Sequence, residues 1–195
     1  MRARRRVTGL RAGVLLVLLA CADPASAQPP KQPVNERGPA DAPITVQEFC
    51  TYDSEACSRL QIVLENVLAE FGDRVRLVFR HVPADDTPAG SLRYRAALAA
   101  GEQGQFWAMH DLLMANRQHA TAAEIPMMAH QLGVDAERFR ADLDSADVVA
   151  AAAADRDEAR AHNVTTTPTV IVNGRSVAVG VKDLRTAIRA ALTAR

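Results

Sequence analysis

One junction constrains the fold of this chain more than any other. An alternating run, Ile44-Thr45-Val46-Gln47-Glu48-Phe49, passes through a short polar connection into an amphipathic helix. In that helix Leu60, Val63, Leu64, Val67, Leu68 and Phe71 recur at i, i+3, i+4, i+7, i+8 and i+11, and the pattern stops at Gly72. A strand that feeds directly into a helix with a single apolar stripe must pack that stripe on its own sheet, which points to an α/β fold. Two cysteines bracket the junction: Cys50 at the strand end, on the same face as Glu48 and Val46, and Cys57 in the first helical turn. The helix is expected to begin at Ser54, a residue type suited to the N-cap, with Asp53 as the competing cap.

Further along, Val75, Leu77 and Phe79 alternate with Arg76, Val78 and Arg80 within Arg74 to Val82, giving a second strand that ends before Pro83. Gly90 to Asn163 is alanine-rich with helical spacing, and Thr121-Ala122-Ala123-Glu124 within it reads as a capping box at a helix start. Thr169 to Val172 and Arg175 to Val179 flank Asn173-Gly174, the strongest short hairpin signal. A final helix, Lys182 to Arg195, carries Leu184, Ile188 and Leu192 on one stripe. Asp135 to Asp147 and the helix from Val149 to Arg160 read as solvated faces, the latter with an Asp157–Arg160 pair.

The N-terminus reads as an export signal. Arg2, Arg4, Arg5, Arg6 and Arg11 precede the apolar run Ala12 to Ala20, and Ala25-Ser26-Ala27 supplies an A-x-A cleavage site. Leu18-Leu19-Ala20-Cys21 offers an alternative, a lipobox-like site that would make Cys21 a lipid-anchored N-terminus. Removing residues 1–27 takes away five arginines and Asp23, leaving 18 basic against 22 acidic residues and a net charge near −4. No basic nucleic-acid face is implied. Residues 28–42, rich in proline and polar side chains, read as a flexible linker, and 43–195 as one domain with a helical insertion over about 89–163. Export would place the cysteines in a compartment where disulfides persist.

The chain resembles the DsbA-like branch of the thioredoxin superfamily over roughly residues 38–195. The marks are Gly38-Pro39-Ala40-Asp41-Ala42-Pro43-Ile44-Thr45-Val46, Glu48-Phe49, Gly104-Gln105-Phe106-Trp107-Ala108-Met109-His110-Asp111-Leu112-Leu113, and Thr167-Pro168-Thr169 before a strand and Asn173-Gly174. The resemblance implies a thioredoxin-like fold with an inserted helical subdomain. It also implies a cis peptide before Pro168, a Thr167 backbone that pairs with a bound peptide or thiol, a buried acid at Glu48, and a redox cysteine at Cys57. The family's attacking cysteine falls on Ser54. The four positions therefore read Ser54-Glu55-Ala56-Cys57, a degenerate S-x-x-C, and disulfide exchange needs a thiolate that serine cannot supply.

Cys50 is the one residue nearby that can restore a pair with Cys57. The alternative is that both are small buried apolar side chains. Ser54 is likewise either an N-cap or, as in kappa-class glutathione transferases, a hydroxyl that holds a thiol at a helix N-terminus. Trp107, Met109 and His110 read as packing residues of the insertion, and His81, His119, His130 and His162 show no metal-ligand spacing. No cofactor or metal is expected. The catalytic candidates are Cys57, Ser54, Cys50 and Glu48, and the substrate-binding candidates Thr167 and Pro168. The expected function is that of an exported thiol–disulfide oxidoreductase-like protein of altered or reduced activity, in the periplasm or secreted, with protein or peptide thiols as clients. The alternatives are a redox-inactive peptide-binding or chaperone-like module and a glutathione-dependent enzyme using Ser54.

Overall fold

A computed structural model describes residues 34–82 and 88–194. The expected export signal, Cys21 and the first part of the expected linker lie outside the described residues, as do Pro83 and Arg195. A five-stranded sheet forms the centre, with β1 (Glu36–Arg37), β2 (Ile44–Cys50), β3 (Val75–His81), β4 (Thr169–Val172) and β5 (Arg175–Val177) in the spatial order β1-β3-β2-β4-β5. β2 pairs parallel with β3 and antiparallel with β4, so the sheet is mixed. The parallel pair requires a crossover, and α1 (Glu55–Phe71) supplies it. Between β3 and β4 the chain inserts α2 (Pro88–Gly101), α3 (Phe106–Ala115), α4 (Ile125–Gln131), α5 (Ala136–Leu143) and α6 (Ala146–Ala161); α7 (Val181–Thr193) closes the chain. This is the thioredoxin-like α/β fold with its helical insertion.

The central strand β2 is buried on both faces, and its two faces meet different helices. Cys50, Val46 and Ile44 join the main core with Cys57, Leu60, Leu64 and Val67 of α1, whereas Phe49 packs with Ala159 of α6 and with Ile171. The apolar stripe of α1 buries Leu60, Leu64, Val67 and Phe71 as its spacing dictates, and Gly72 ends the helix at φ 53°, a conformation that costs glycine little. Asn173 and Gly174, at φ 45° and 80°, provide the left-handed pair that a two-residue hairpin turn between β4 and β5 requires.

Three expectations differ from what is observed. Of the expected linker, residues 34–42 are held on the fold: β1 pairs with β3, and the Asn35 side chain is buried, donating to the Phe79 carbonyl at 2.9 Å and to the Tyr94 hydroxyl at 3.4 Å. Two residues of strand are too short to carry an alternation signal, so proline and polar side chains mask β1 in the sequence. At Thr121 the Glu124 carboxylate does accept the Thr121 backbone N–H at 3.2 Å, but this closes a turn, and α4 starts at Ile125, with Glu124 rather than Thr121 as its N-cap. Finally, α6 is not wholly solvated: Asp155 is buried, for reasons that belong to the site.

Candidate active site

Ser54 is the N-cap of α1, extended at φ −89° and ψ 122°, with its hydroxyl oxygen accepting the Cys57 backbone N–H at 3.3 Å. The cap is therefore Ser54 rather than Asp53. One turn in, Cys57 faces β2 and forms a disulfide with Cys50, their Cα atoms 5.7 Å apart, inside the range a bridge needs. The pair is thus Cys50–Cys57, seven positions apart across the loop 51–56, and not the three positions of a C-x-x-C or S-x-x-C motif. Both cysteines have 0% exposure.

A second rung joins the same strand and helix. Glu48, two residues before Cys50, is fully buried, and its Oε1 accepts a hydrogen bond from Gln61 Nε2 at 2.6 Å, Gln61 lying one turn beyond Cys57. Its Oε2 finds no hydrogen-bond partner among the described residues. Burial pushes the Glu48 carboxyl up to about 8 against the pull of the Gln61 hydrogen bond, so the group is a neutral acid over most of the neutral range.

The peptide between Thr167 and Pro168 is cis. The β2–β4 ladder ends at the Phe49–Thr169 pair, so the next residues outward on the two strands are Cys50 and Pro168. The fold therefore gathers Ser54, Cys57, Cys50 and Glu48 around the start of α1 and the end of β2, and brings Thr167 and Pro168 to the neighbouring strand. The two substrate-binding candidates are half-buried.

What the sequence did not disclose is how the loop between the cysteines is held. Tyr52, in its middle, is fully buried, and its hydroxyl lies 3.1 Å from His110 Nδ1 on α3. The Tyr52 ring stacks on His81 at a centroid distance of 5.5 Å and meets Phe79 at 5.4 Å, while His81 stacks on Tyr94 at 4.8 Å. Burial lowers both His81 and His110 to about 3, with Arg156 adding to the effect at His81, and Arg37 and His81 adding to it at His110. Both imidazoles are neutral. Burial raises the Tyr52 and Tyr94 hydroxyls above the ordinary tyrosine range, and nearby carboxylates add to it, so these too stay neutral.

Asp155 anchors this cluster from α6. One oxygen accepts from Arg80 at 2.8 Å, and the other accepts the His81 backbone N–H at 3.0 Å together with the Tyr94 hydroxyl. Burial raises the Asp155 carboxyl, and these three donors pull against it. A carboxylate within the charged run Asp155-Arg156-Asp157-Glu158 of α6 looks solvated in sequence; here it is the polar bolt between insertion and sheet. The one sequence signal for this cluster is the Phe106-to-Leu113 segment, whose pattern gives His110 a packing role.

A family model described as Thioredoxin matches residues 31–190. The chain belongs to the thioredoxin family. Among solved structures, this thioredoxin-family chain is similar to a thioredoxin-like oxidoreductase from Silicibacter pomeroyi DSS-3, with a TM-score of 0.74 and 28% identity over 82% of this chain and 92% of that one. Oxidised BdbD from Bacillus subtilis (TM-score 0.72, 20% identity, 82% and 92% covered) and DsbA from Xylella fastidiosa (0.64, 24%, 81% and 88%) share the fold. In sequence, the chain is 38% identical over 140 residues to Na(+)/H(+) antiporter NhaA 3 of Salinispora tropica, covering 71% of this chain and 21% of the antiporter. It is also 38% identical over 166 residues to the NhaA antiporter of Herminiimonas arsenicoxydans, covering 84% and 26%. The chain thus spans about a fifth to a quarter of the length of these curated relatives.

Proposed function

We propose that this thioredoxin-family protein is an exported thiol–disulfide oxidoreductase-like protein of reduced redox activity that binds peptide or protein thiols beside Pro168. The observation that carries this reading is the position of the sulfurs. A rapid dithiol oxidase presents an exposed sulfur at a helix N-terminus, where the helix dipole stabilises the thiolate. Here that point carries the Ser54 hydroxyl, already engaged as a cap, and both sulfurs lie behind it with 0% exposure. Exchange at Cys50–Cys57 must wait for local opening, which slows it. Glu48, Thr167 and Pro168 are assigned the family's supporting roles on the strength of their placement, the acid beneath the disulfide and the Thr-Pro pair at the adjoining strand end.

The burial of the sulfurs also favours a second reading, a redox-inactive peptide-binding or chaperone-like module in which the disulfide only braces the fold. The glutathione-dependent reading draws support from Ser54 alone. Export and a periplasmic or secreted location rest on the order of basic, apolar and A-x-A segments in residues 1–27, with lipid anchoring at Cys21 as the alternative. Ion exchange is not proposed for a chain that spans so small a part of the antiporters.

The test is Ser54→Cys in the full chain. Turnover in insulin reduction or peptide oxidation is expected to rise at least about tenfold, about 1.4 kcal/mol of barrier, because the substitution places a thiol at the helix start with Cys57 as its resolving partner. Equal turnover in wild type and variant would show that Cys50–Cys57 is already a competent pair. Cys57→Ser separates the two readings: peptide oxidation is abolished under the first and, having been absent, is unchanged under the second.

A further inference from the structure

We propose that the ion pair between Asp53 and Arg93 is a latch through which the helical insertion controls thiol access to the buried Cys50–Cys57 disulfide. The proposal rests on the reading of that disulfide as the exchange site and adds what regulates it. The loop between the cysteines is fixed at three points. Tyr52 is plugged into the aromatic cluster against Phe79, His81 and His110. The Ser54 N–H bonds the Thr51 carbonyl at 3.4 Å, which only closes the loop on itself. Asp53, with 41% side-chain exposure, pairs with Arg93 of α2, which is 14% exposed and whose Nε also donates to the Ala120 carbonyl at 2.9 Å.

The three fastenings differ in kind. Releasing Tyr52 exposes a large apolar ring and breaks up the core, whereas releasing Asp53 exchanges one ion pair for water. Arg93 is held from behind by the α3–α4 connection, so it is the fixed half of the latch, and Asp53 the half that moves with the loop. The insertion thus reaches the loop twice among the described residues, through the buried Tyr52–His110 contact and, at the solvent edge, through the Arg93–Asp53 pair. When a buried disulfide reacts only from an open state that recloses quickly, its reduction rate is proportional to the population of that state, so a contact made only in the closed loop slows reduction by its own closing factor.

Dithiothreitol supplies a defined thiol for the reaction. Its thiolate attacks one sulfur of the pair, the S–S bond breaks, and the other cysteine leaves as a thiolate that takes up a proton. The second dithiothreitol thiol, as its thiolate, then displaces the first cysteine, which is likewise protonated, and the reagent is oxidised to its cyclic disulfide. Both protein cysteines end as thiols and no further oxidant or reductant is needed.

The experiment follows the loss of the Cys50–Cys57 disulfide in the full chain by alkylation quench and mass measurement, in low salt and in molar salt, for wild type, Asp53→Asn, Arg93→Gln and the charge-swapped double variant Asp53→Arg/Arg93→Asp. Asp53→Asn and Arg93→Gln are expected to be reduced about fivefold faster than wild type in low salt. Salt should accelerate wild type and leave Asp53→Asn unchanged, since screening weakens only a charge pair. The charge swap should restore slow reduction, a result that general loosening of the fold does not produce. Wild-type rates for Asp53→Asn and Arg93→Gln in low salt, or a swap no slower than the single variants, would overturn the latch. The readout uses a small thiol and no peptide, so it stands or falls separately from the turnover test with Ser54→Cys.

Discussion

Replacing Glu48 with glutamine should change how stability responds to pH more than it changes stability itself. Glu48 is fully buried with a folded-state value near 8 against an ordinary 4.5, so between these limits the folded chain holds a proton that the unfolded chain has released. Its contribution is complete below pH 4.5 and is lost as pH rises toward 8, at about 1.4 kcal/mol per unit. His81 and His110 act in the opposite sense. Both are held down to about 3 against 6.5, so their contribution is complete above pH 6.5 and is lost as pH falls toward 3. Between pH 6.5 and 8 Glu48 acts alone among the three, and stability should fall by about 2 kcal/mol. Between pH 4.5 and 6.5 two histidines outweigh one carboxyl, and stability should rise by about 1.4 kcal/mol per unit. From these three groups alone the wild-type optimum is expected near pH 6.5. In Glu48→Gln the alkaline decline should flatten and the acid limb steepen to about 2.7 kcal/mol per unit, because only the histidines remain. Urea unfolding across this pH range, with the disulfide intact, measures each slope. A variant with the same alkaline decline as wild type would show that Glu48 does not carry the proton.

Two further outcomes test the packing around the site. Asp155→Ala should destabilise the fold by about 3 kcal/mol, lowering the melting temperature by roughly 10 °C, because it strips a buried acceptor from Arg80, the His81 N–H and Tyr94; Asp155→Asn, which keeps an acceptor oxygen, should lose less, and calorimetry distinguishes the two. Cys57→Ser should cost about 2.5 kcal/mol through the freed loop between positions 50 and 57. The remaining Cys50 thiol, buried on the strand, should label with maleimide only as fast as the fold opens, so rapid labelling of the native variant would contradict the burial of Cys50.

The sheet, α1 and the closing hairpin were legible because each is specified locally. Period-2 runs mark β2 and β3, the stripe from Leu60 to Phe71 marks α1, and Asn173-Gly174 marks the turn. The juxtaposition of Cys50 and Cys57 was legible too, since a strand end and the first turn of the next helix are close whatever surrounds them. What was not legible depends on partners far away in sequence. Asp155 reads as a surface residue until β3 brings Arg80 and the His81 N–H to it, 75 and 74 positions away. Tyr52 and His110 meet across 58 positions, and nothing in either neighbourhood announces the contact. The burial of Asn35 depends likewise on Phe79 and Tyr94, so the stretch before β2 resembled a linker in composition alone.

On the proposed reading, a cysteine at the strand end rather than at the helix start changes the chemistry more than the fold. At the position of Ser54 a thiolate faces the free N–H groups of the first turn and solvent, which favours ionisation and attack. At Cys50 the same sulfur sits at the end of a strand with neighbours on both sides, between β3 and β4, among apolar side chains that disfavour the charged form. Cys57 keeps its place in the first turn, yet its backbone N–H is engaged by the Ser54 hydroxyl. The bridge ties β2 to α1 above the Glu48–Gln61 rung, in a loop whose centre is locked into the core by Tyr52. On the proposed reading of Cys50–Cys57 as the exchange site, the rate of exchange is governed less by the acidity of either sulfur than by how often the loop opens, which makes the contacts at Asp53 and Tyr52 as relevant to that chemistry as the cysteines themselves.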